Sequence, residues 1–262
     1  MSAFAASGEW KTDIEFSRPG GEPQTLDAWV PEGKGPFPTV IVVHGGGWIN
    51  GHKGMYVTPV FQPLKDAGFA WFTINYRLAP KHQFPAATDD TFAAIEWVKA
   101  HAKEYKVDRR RIALLGESAG GHIVAYCGAV GKGKRKVAAV VDFYGGNDLL
   151  SLAKTKGYSK GLQSFFGAPA LNAEVEKRLA DASGANHVHR GMPPFLFIHG
   201  TKDAAVPYEQ SPMMCDKMKA AGARCEVYTV ENAPHGVGPW EKNPAFQAYK
   251  AKMVEWLKTT LK

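Results

Sequence analysis

Residues 112–121 read IALLGESAGG, so that a short apolar run leads directly into a serine flanked by glycines. Residues 112–115 predict a buried strand, and residues 118–130 predict a helix. Ser118 then stands on a tight turn from strand to helix, where glycines two positions away on either side let backbone segments approach closely. Such a turn holds the hydroxyl clear of the sheet, at the positive end of a helix, where a reacting carbonyl can reach it. Ser118 is therefore the candidate nucleophile.

The chain around this turn alternates strand-like and helix-like segments. Besides residues 112–115, strands are predicted from apolar, β-branched runs at residues 12–16, 25–30, 39–43, 70–76, 137–143, 195–199 and 225–230. Helices are predicted at residues 58–67, 86–101, 118–130, 209–221 and 246–261. A turn sequence at residues 18–21 makes the first two strands an antiparallel pair. The pattern predicts an α/β fold: an eight-stranded, mostly parallel sheet with helices on both faces.

Residues 151–192 interrupt the alternation. They place Tyr158, Phe165 and Phe166 among glycines in a long mixed segment. We interpret the segment as a small insertion over the active site, serving as a lid or a pocket wall. With no repeat and no low-complexity tract, residues 1–262 are predicted to form one domain.

Composition narrows the possible partners. Net charge is +7, from 32 Lys and Arg against 25 Asp and Glu. The densest basic runs, residues 109–111 and 132–136, fall in predicted loops, which favours solvated loops over an anion-binding surface. No nucleic-acid partner is expected. The three cysteines, Cys127, Cys215 and Cys225, lack metal-ligand spacing and are interpreted as buried free thiols.

No apolar stretch reaches the roughly 18 residues that a membrane span requires, so no membrane partner is expected. Residues 3–7 are slightly apolar, but they do not form a charged segment followed by a long apolar run. A cytoplasmic location is expected if the chain is complete, and a periplasmic or secreted one if a signal peptide was removed. The sequence contains no signal for an oligomeric state.

A serine nucleophile requires a base, an orienting acid and donors for the oxyanion. His44-Gly45-Gly46-Gly47-Trp48 follows the third predicted strand, and its glycines can direct N–H groups at an oxyanion. A glycine-rich turn with positive φ is the alternative interpretation. Asp203 follows the seventh strand and His235 follows the eighth. The order Ser118, Asp203, His235 fits a triad built on a sheet of this kind.

Other side chains compete for these roles. Asp142 and Asp148 follow the sixth strand and are rival acids, although the tight turn around Asp203 favours Asp203. His44 and His199 end strands and are expected to satisfy backbone groups. His122 is expected to pack or hydrogen-bond on the helix behind Ser118.

Three motifs together resemble the α/β-hydrolase superfamily, in the esterase and lipase branch related to hormone-sensitive lipase. They are the loop at residues 44–48, the segment NYRLAP at residues 75–80 with residues 84–90, and GESAGG at residues 116–121. The resemblance covers nearly all of the chain after residue 35. It implies an α/β-hydrolase fold with the N–H groups of Gly46, Gly47 and Ala119 as oxyanion donors.

Two departures refine the resemblance. Only 43 residues precede His44, and they are predicted as strands where the branch has a helical cap. His122 stands where the lipase-like members have Asn. Both features resemble the compact bacterial carboxylesterases that include feruloyl and acetylxylan esterases. A small or missing cap implies a shallow site, suited to short acyl groups or to esters on a bulky polymer.

The expected activity is carboxylic ester hydrolysis through an acyl-enzyme, without a metal or organic cofactor. The expected substrate is a small-molecule or polysaccharide-linked ester with a short acyl or aryl group. Acetylxylan or feruloyl esterase, serine peptidase or amidase, acyltransferase and a non-catalytic binding module remain alternatives. Four aromatic residues are candidates either for the substrate pocket or for the core: Trp48, Phe165, Phe166 and Trp240.

Overall fold

A computed structural model describes residues 7–262. Its strands form one eight-stranded sheet in the order β1-β2-β4-β3-β5-β6-β7-β8. The strand bounds are β1 Gly8–Ser17, β2 Gln24–Pro31, β3 Phe37–Val43, β4 Ala70–Ile74, β5 Val107–Glu117, β6 Ala139–Phe143, β7 Phe195–Gly200 and β8 Cys225–Val230. Strands β1, β2 and β4 pair antiparallel, and β4, β3, β5, β6, β7 and β8 pair parallel. The predicted fold class is confirmed.

Helices cover both faces of the sheet. Their bounds are α1 Phe61–Asp66, α2 Ala86–Ala100, α3 Ala119–Val130, α4 Leu149–Lys156, α5 Lys160–Phe166, α6 Ala173–Asp181, α7 Gln210–Ala220, α8 Val237–Glu241 and α9 Tyr249–Thr260. Alternate residues of β3 belong to different cores: Ile41 lies in the core that also contains residues of α2, α3 and α7, and Val42 in the core that contains residues of α1 and α9. Burial of both sheet faces explains why the central strands are apolar without interruption.

Several elements have other boundaries than predicted: β1 and β5 are longer at both ends, and two helices begin later. The helix predicted from residue 58 begins as a 3₁₀ turn, Thr58–Val60, and becomes α1 only at Phe61. The last helix begins at Tyr249, after a second 3₁₀ turn at Pro244–Phe246. Each 3₁₀ turn carries a proline in its first turn, where the missing N–H leaves no intrahelical hydrogen bond unmade.

Two predictions about local structure are wrong. The basic residues 109–111 do not lie in a loop, because β5 already begins at Val107, where it pairs with Phe37 of β3. Cys215 and Cys225 are not free thiols but form a disulfide between α7 and β8. Because α7 packs against β8, the Cα atoms of Cys215 and Cys225 lie 5.6 Å apart, within the range that a disulfide can bridge. Cys127 is free and buried, as predicted.

The segment at residues 151–192 contains most of α4 and all of α5 and α6. Phe165 of α5 stacks on Trp48 at a centroid distance of 4.9 Å, so α5 lies beside the glycine-rich loop after β3. The role of residues 151–192 as an insertion over the active site stays a prediction. The assignment of residues 1–262 to one domain also stays a prediction. Of the slightly apolar residues 3–7, all but Ser7 lie outside the described residues. Among residues 7–262, the longest apolar helices fall short of what a bilayer crossing requires.

Candidate active site

Ser118 stands between β5 and α3 with an unusual backbone conformation, φ 54° and ψ −116°. Glycine is needed on both sides: a Cβ on Gly116 would lie 2.2 Å from the Gly120 carbonyl oxygen, and one on Gly120 would lie 2.2 Å from that of Val43. The Ser118 N–H donates to the Phe143 carbonyl at 2.9 Å, which fixes the turn against the end of β6. Backbone strain at a reactive residue is typical of functional sites.

Three loops bring Ser118, His235 and Asp203 into one hydrogen-bonded line. The Ser118 Oγ lies 2.9 Å from His235 Nε2, and His235 Nδ1 lies 2.6 Å from Asp203 Oδ2. Because an ionised carboxylate only accepts, the proton belongs on Nδ1 and leaves Nε2 as acceptor for the serine hydroxyl. An imidazole in this tautomer is able to take a proton from Ser118.

Asp203 is fixed by its own turn. Its Oδ1 accepts from the N–H groups of Ala205 at 2.9 Å and Val206 at 2.8 Å, while Oδ2 faces His235. Burial opposes ionisation of Asp203, but hydrogen bonds from His199, His235 and Val206 hold its pKa well below the ordinary range. Asp203 is therefore a carboxylate throughout the neutral pH range.

The rival acids are engaged elsewhere. Asp142 accepts from the Gly145 N–H at 2.9 Å and from the Asn147 side-chain amide at 2.8 Å. Burial raises its pKa to about 6. Asp148 caps α4 by accepting from the Ser151 N–H at 2.9 Å.

The glycine-rich loop at residues 44–48 borders the same groove as Ser118. Gly46 and Gly47 adopt φ of 109° and 60°, in the region that favours glycine. The Gly46 carbonyl accepts from the N–H groups of Ile49 and Asn50, at 3.2 and 3.0 Å. Below the loop, the buried Tyr76 hydroxyl donates to the His44 carbonyl at 3.1 Å. These contacts hold the loop at the groove. Ala119, the third residue of the predicted oxyanion set, is the first residue of α3.

Two histidines behave as expected near this loop. His44 Nδ1 lies 2.7 Å from the Gly45 carbonyl, a backbone partner. His122 is buried on α3, where Nδ1 accepts from the Trp48 indole N–H at 3.1 Å and Nε2 lies 2.9 Å from the Ala182 carbonyl. Burial lowers the pKa of each histidine to about 4, so both are neutral at pH 7.

Two neighbours of the site were missed in the sequence. Glu117 is buried and lines the groove beside Ser118. Burial raises its pKa, and the charge of His235 opposes that rise, as do hydrogen bonds from Tyr144 and Gly45. The Tyr144 hydroxyl accepts from the Val237 N–H at 2.8 Å, and its ring lies 4.8 Å from the His235 ring. In the sequence, the only signal for a role of Glu117 was an acidic residue directly before Ser118. No sequence signal pointed to Tyr144.

The groove has a volume of about 640 Å³. Besides the residues already described, it is lined by Tyr56, Thr58, Pro59, Gly236, Val237, Gly238 and Pro239. Tyr56 is 45% exposed, and the preceding residue, Met55, is exposed as well but does not line the groove.

The four aromatic residues that were candidates for the pocket or the core lie in the core. Trp48, Phe165, Phe166 and Trp240 are all buried. Phe165 packs between Trp48 and Phe166, and the Trp240 indole donates to the Pro234 carbonyl at 2.7 Å. None of the four is among the residues that line the groove.

Among residues 7–262, acidic, histidine and cysteine side chains do not gather into a cluster that could ligate a metal ion.

Comparison with known proteins gives named relatives. Esterase LipC of Mycobacterium tuberculosis is 32% identical over 230 residues, covering 81% of this chain and 57% of that protein. The probable carboxylic ester hydrolase LipM of the same organism is 31% identical over 206 residues, covering 74% of this chain and 48% of that protein. The chain thus spans about half the length of these curated relatives.

Solved structures agree with the fold. A truncated carbohydrate esterase from gut microbiota superposes with a TM-score of 0.84 and 25% identity, covering 100% of this chain and 98% of the other. The resemblance to α/β-hydrolase esterases is confirmed. Because the BD-FAE family model matches residues 26–218, this chain belongs to the BD-FAE family.

Proposed function

We propose that the protein is a serine carboxylesterase that hydrolyses short-acyl or aryl esters through an acyl-enzyme. The observation that carries the proposal is the hydrogen-bonded line from Ser118 through His235 to Asp203, with Ser118 and His235 on the wall of an open groove. An alcohol, a neutral imidazole and an ionised carboxylate in this order provide a nucleophile, a base and an orienting charge. The esterase names of the relatives are consistent with this chemistry.

The proposed reaction proceeds in two halves. His235 Nε2 takes the proton of Ser118 as Oγ attacks the ester carbonyl, and the carbonyl electrons move to the oxygen. The tetrahedral intermediate collapses, the C–O bond to the alcohol breaks, and His235 gives its proton to the leaving oxygen. Water then attacks the acyl-enzyme with His235 again as base, which releases the acid and restores Ser118.

Two further groups support this sequence. We assign the oxyanion to the N–H groups of Gly46, Gly47 and Ala119, since the first two border the groove and the third begins α3. Asp203 balances the positive charge on His235 while that residue holds the serine proton.

Short acyl groups fit the packing around the glycine-rich loop. Trp48, Phe165 and His122 fill the space behind that loop, and all three side chains are buried. A long acyl chain would have to displace this cluster or lie along the exposed groove. Esters carried on a plant polysaccharide are the alternative substrate, favoured by the likeness to a carbohydrate esterase along the full length of both chains.

The test measures rates on p-nitrophenyl esters from acetate to decanoate, with methyl ferulate and acetylated xylan alongside. We expect activity on acetate and butyrate, a steep fall for longer chains, and a loss of about 10⁶ in turnover for Ser118→Ala. A Ser118→Ala protein that kept near-normal turnover would eliminate the scheme. Acetylated xylan turned over faster than the small esters would select the polysaccharide alternative, and a preference for anilides over matched esters would select an amidase.

A further inference from the structure

A second histidine contacts the acid of the triad from its buried side. His199 is the penultimate residue of β7, and its side chain is fully buried. Its Nε2 lies 3.4 Å from Asp203 Oδ2, the same oxygen that faces His235 at 2.6 Å. Asp203 thus stands between two imidazoles, of which the proposed mechanism uses only one.

The other contacts of His199 define its protonation. Nε2 also lies 3.0 Å from the Val206 carbonyl, which can only accept, so Nε2 carries a proton. Nδ1 lies 2.8 Å from the Ser211 Oγ of α7, a hydroxyl able to donate to it. These contacts fit a neutral His199 whose single N–H is shared between Val206 and Asp203.

This arrangement ties three parts of the site together. Val206 also donates its N–H to Asp203 Oδ1 at 2.8 Å, so the turn at residues 203–206 is closed on itself and anchored to β7 by one imidazole. A donor behind Oδ2 also draws negative charge away from His235. Without that donor, less of the Asp203 charge would be offset on the buried side. The protonated form of His235 would then be more stable.

Other titratable groups surround His199 and His235, and the variants proposed below leave these groups unchanged. Tyr144 faces both rings, at centroid distances of 6.3 Å from His199 and 4.8 Å from His235, and Tyr208 lies 5.7 Å from His199. Two further carboxyls interact electrostatically with these rings: Asp142 of β6 with His199, and Glu117 of β5 with His235.

We propose that His199 is a positioning residue for the triad. It fixes the turn that carries Asp203 and partly offsets the negative charge that Asp203 presents to His235. The inference rests on the proposed roles of Ser118, His235 and Asp203.

The test compares two amides that differ by one methylene. His199→Gln can place an N–H where Nε2–H lies, whereas His199→Asn reaches Ser211 but not Asp203. We expect the acidic limb of the kcat/KM profile to move up by about half a unit in His199→Asn. In the same variant kcat should fall by up to about tenfold, a fraction of what general-base catalysis contributes. His199→Gln should return both values close to those of the wild type.

Ring titration of His235 by NMR provides a readout that does not need turnover, with its signal assigned by its loss in His235→Gln. The same half-unit rise is expected in His199→Asn but not in Ser211→Ala, which loses only the contact on the far side. Equal shifts in Ser211→Ala and His199→Asn, or a lower Tm with an unchanged pH profile, would refute the positioning role. Nitrogen shifts of wild-type His199 test the tautomer without any variant, and an imidazolium or an Nδ1–H form would contradict it.

Failure of the proposed function is distinguishable from failure of this inference. If Ser118→Ala were fully active, the esterase scheme would be lost, while the NMR titration would still decide whether His199 controls His235.

Discussion

The indole N–H of Trp48 donates to His122 Nδ1 at 3.1 Å and joins the glycine-rich loop to the helix that follows Ser118. The bond needs an unprotonated Nδ1, because an imidazolium offers only donors. Protonation of the buried His122 ring would therefore break a hydrogen bond between the two segments proposed to form the oxyanion site. The same ring donates from Nε2 to the Ala182 carbonyl, beyond α6.

Acid should weaken the protein through its buried histidines. Burial lowers the pKa of both His44 and His122 from 6.5 to about 4. Between these values the unfolded chain binds more protons than the folded protein, so the free energy of unfolding falls as pH is lowered from 6.5 to 4. The loss is at most about 3 kcal/mol for each histidine.

Urea unfolding at pH 7, 6, 5 and 4 measures this loss. The His122→Asn variant keeps an acceptor for Trp48 but does not titrate, so its loss between pH 7 and pH 4 should be smaller by up to about 3 kcal/mol. Equal pH dependence in the two proteins would contradict the assignment to His122.

Replacement of Asp203 should lower kcat strongly, whereas replacement of the rival acid Asp142 should not. Asp203→Asn removes the charge that faces His235 Nδ1 at 2.6 Å and should lower kcat by about 10⁴, because the tautomer of His235 is no longer fixed. Asp142→Asn changes a carboxyl that bonds to Gly145 and Asn147, and kcat should stay within a few-fold of the wild type.

Initial rates on p-nitrophenyl acetate with circular dichroism for folding decide between the two acids. A folded Asp142→Asn protein with a loss comparable to that of Asp203→Asn would make Asp142 the functional acid.

Two adjacent glycines provide a matched pair in the glycine-rich loop. A Cβ on Gly46 would lie 2.1 Å from the Asn50 carbonyl oxygen, whereas a Cβ on Gly47 would meet no heavy atom within 4 Å. Gly46→Ala should displace the loop and lower kcat by about 10² or more, the usual effect of losing an oxyanion donor. Gly47→Ala should cost about 1 kcal/mol of stability for its positive φ and keep most of the activity.

Steady-state kinetics and Tm of the two alanine variants check this expectation. Equal loss of activity in folded Gly46→Ala and Gly47→Ala would show that the position of the Gly46 amide is not what the reaction requires.

Tyr56 should govern the binding of ring-bearing esters. Its ring lies at the rim of the groove, where an aromatic or sugar ring of a substrate can pack on it. Tyr56→Ala should raise KM for methyl ferulate by about five- to tenfold, the scale of one aromatic contact, with kcat for p-nitrophenyl propionate unchanged. Tyr56→Phe should keep the wild-type KM.

Met55→Ala is the control for Tyr56, because Met55 is also exposed but does not line the groove. A similar rise in KM for Met55→Ala would assign the effect to the loop rather than to the Tyr56 ring.

The sequence alone predicted the eight strands, five of the nine helices in the described part of the chain, and the loops after β5, β7 and β8 that carry Ser118, Asp203 and His235. Such features depend on local periodicity and on glycines whose positions a side chain would block, as at Gly116 and Gly120. The starts of α1 and α9 were predicted three residues early, because a 3₁₀ turn precedes each helix and shares its apolar pattern.

Only the tertiary structure decided which side chains meet. The disulfide of Cys215 and Cys225 depends on how α7 packs on β8, and the contact of His199 with Asp203 depends on a turn that folds back over β7. The burial of Phe165 likewise depends on Trp48, 117 positions earlier in the chain. Contacts between distant segments leave no periodic trace in the sequence, so the environment of each site residue became visible only once the sheet and its loops were assembled.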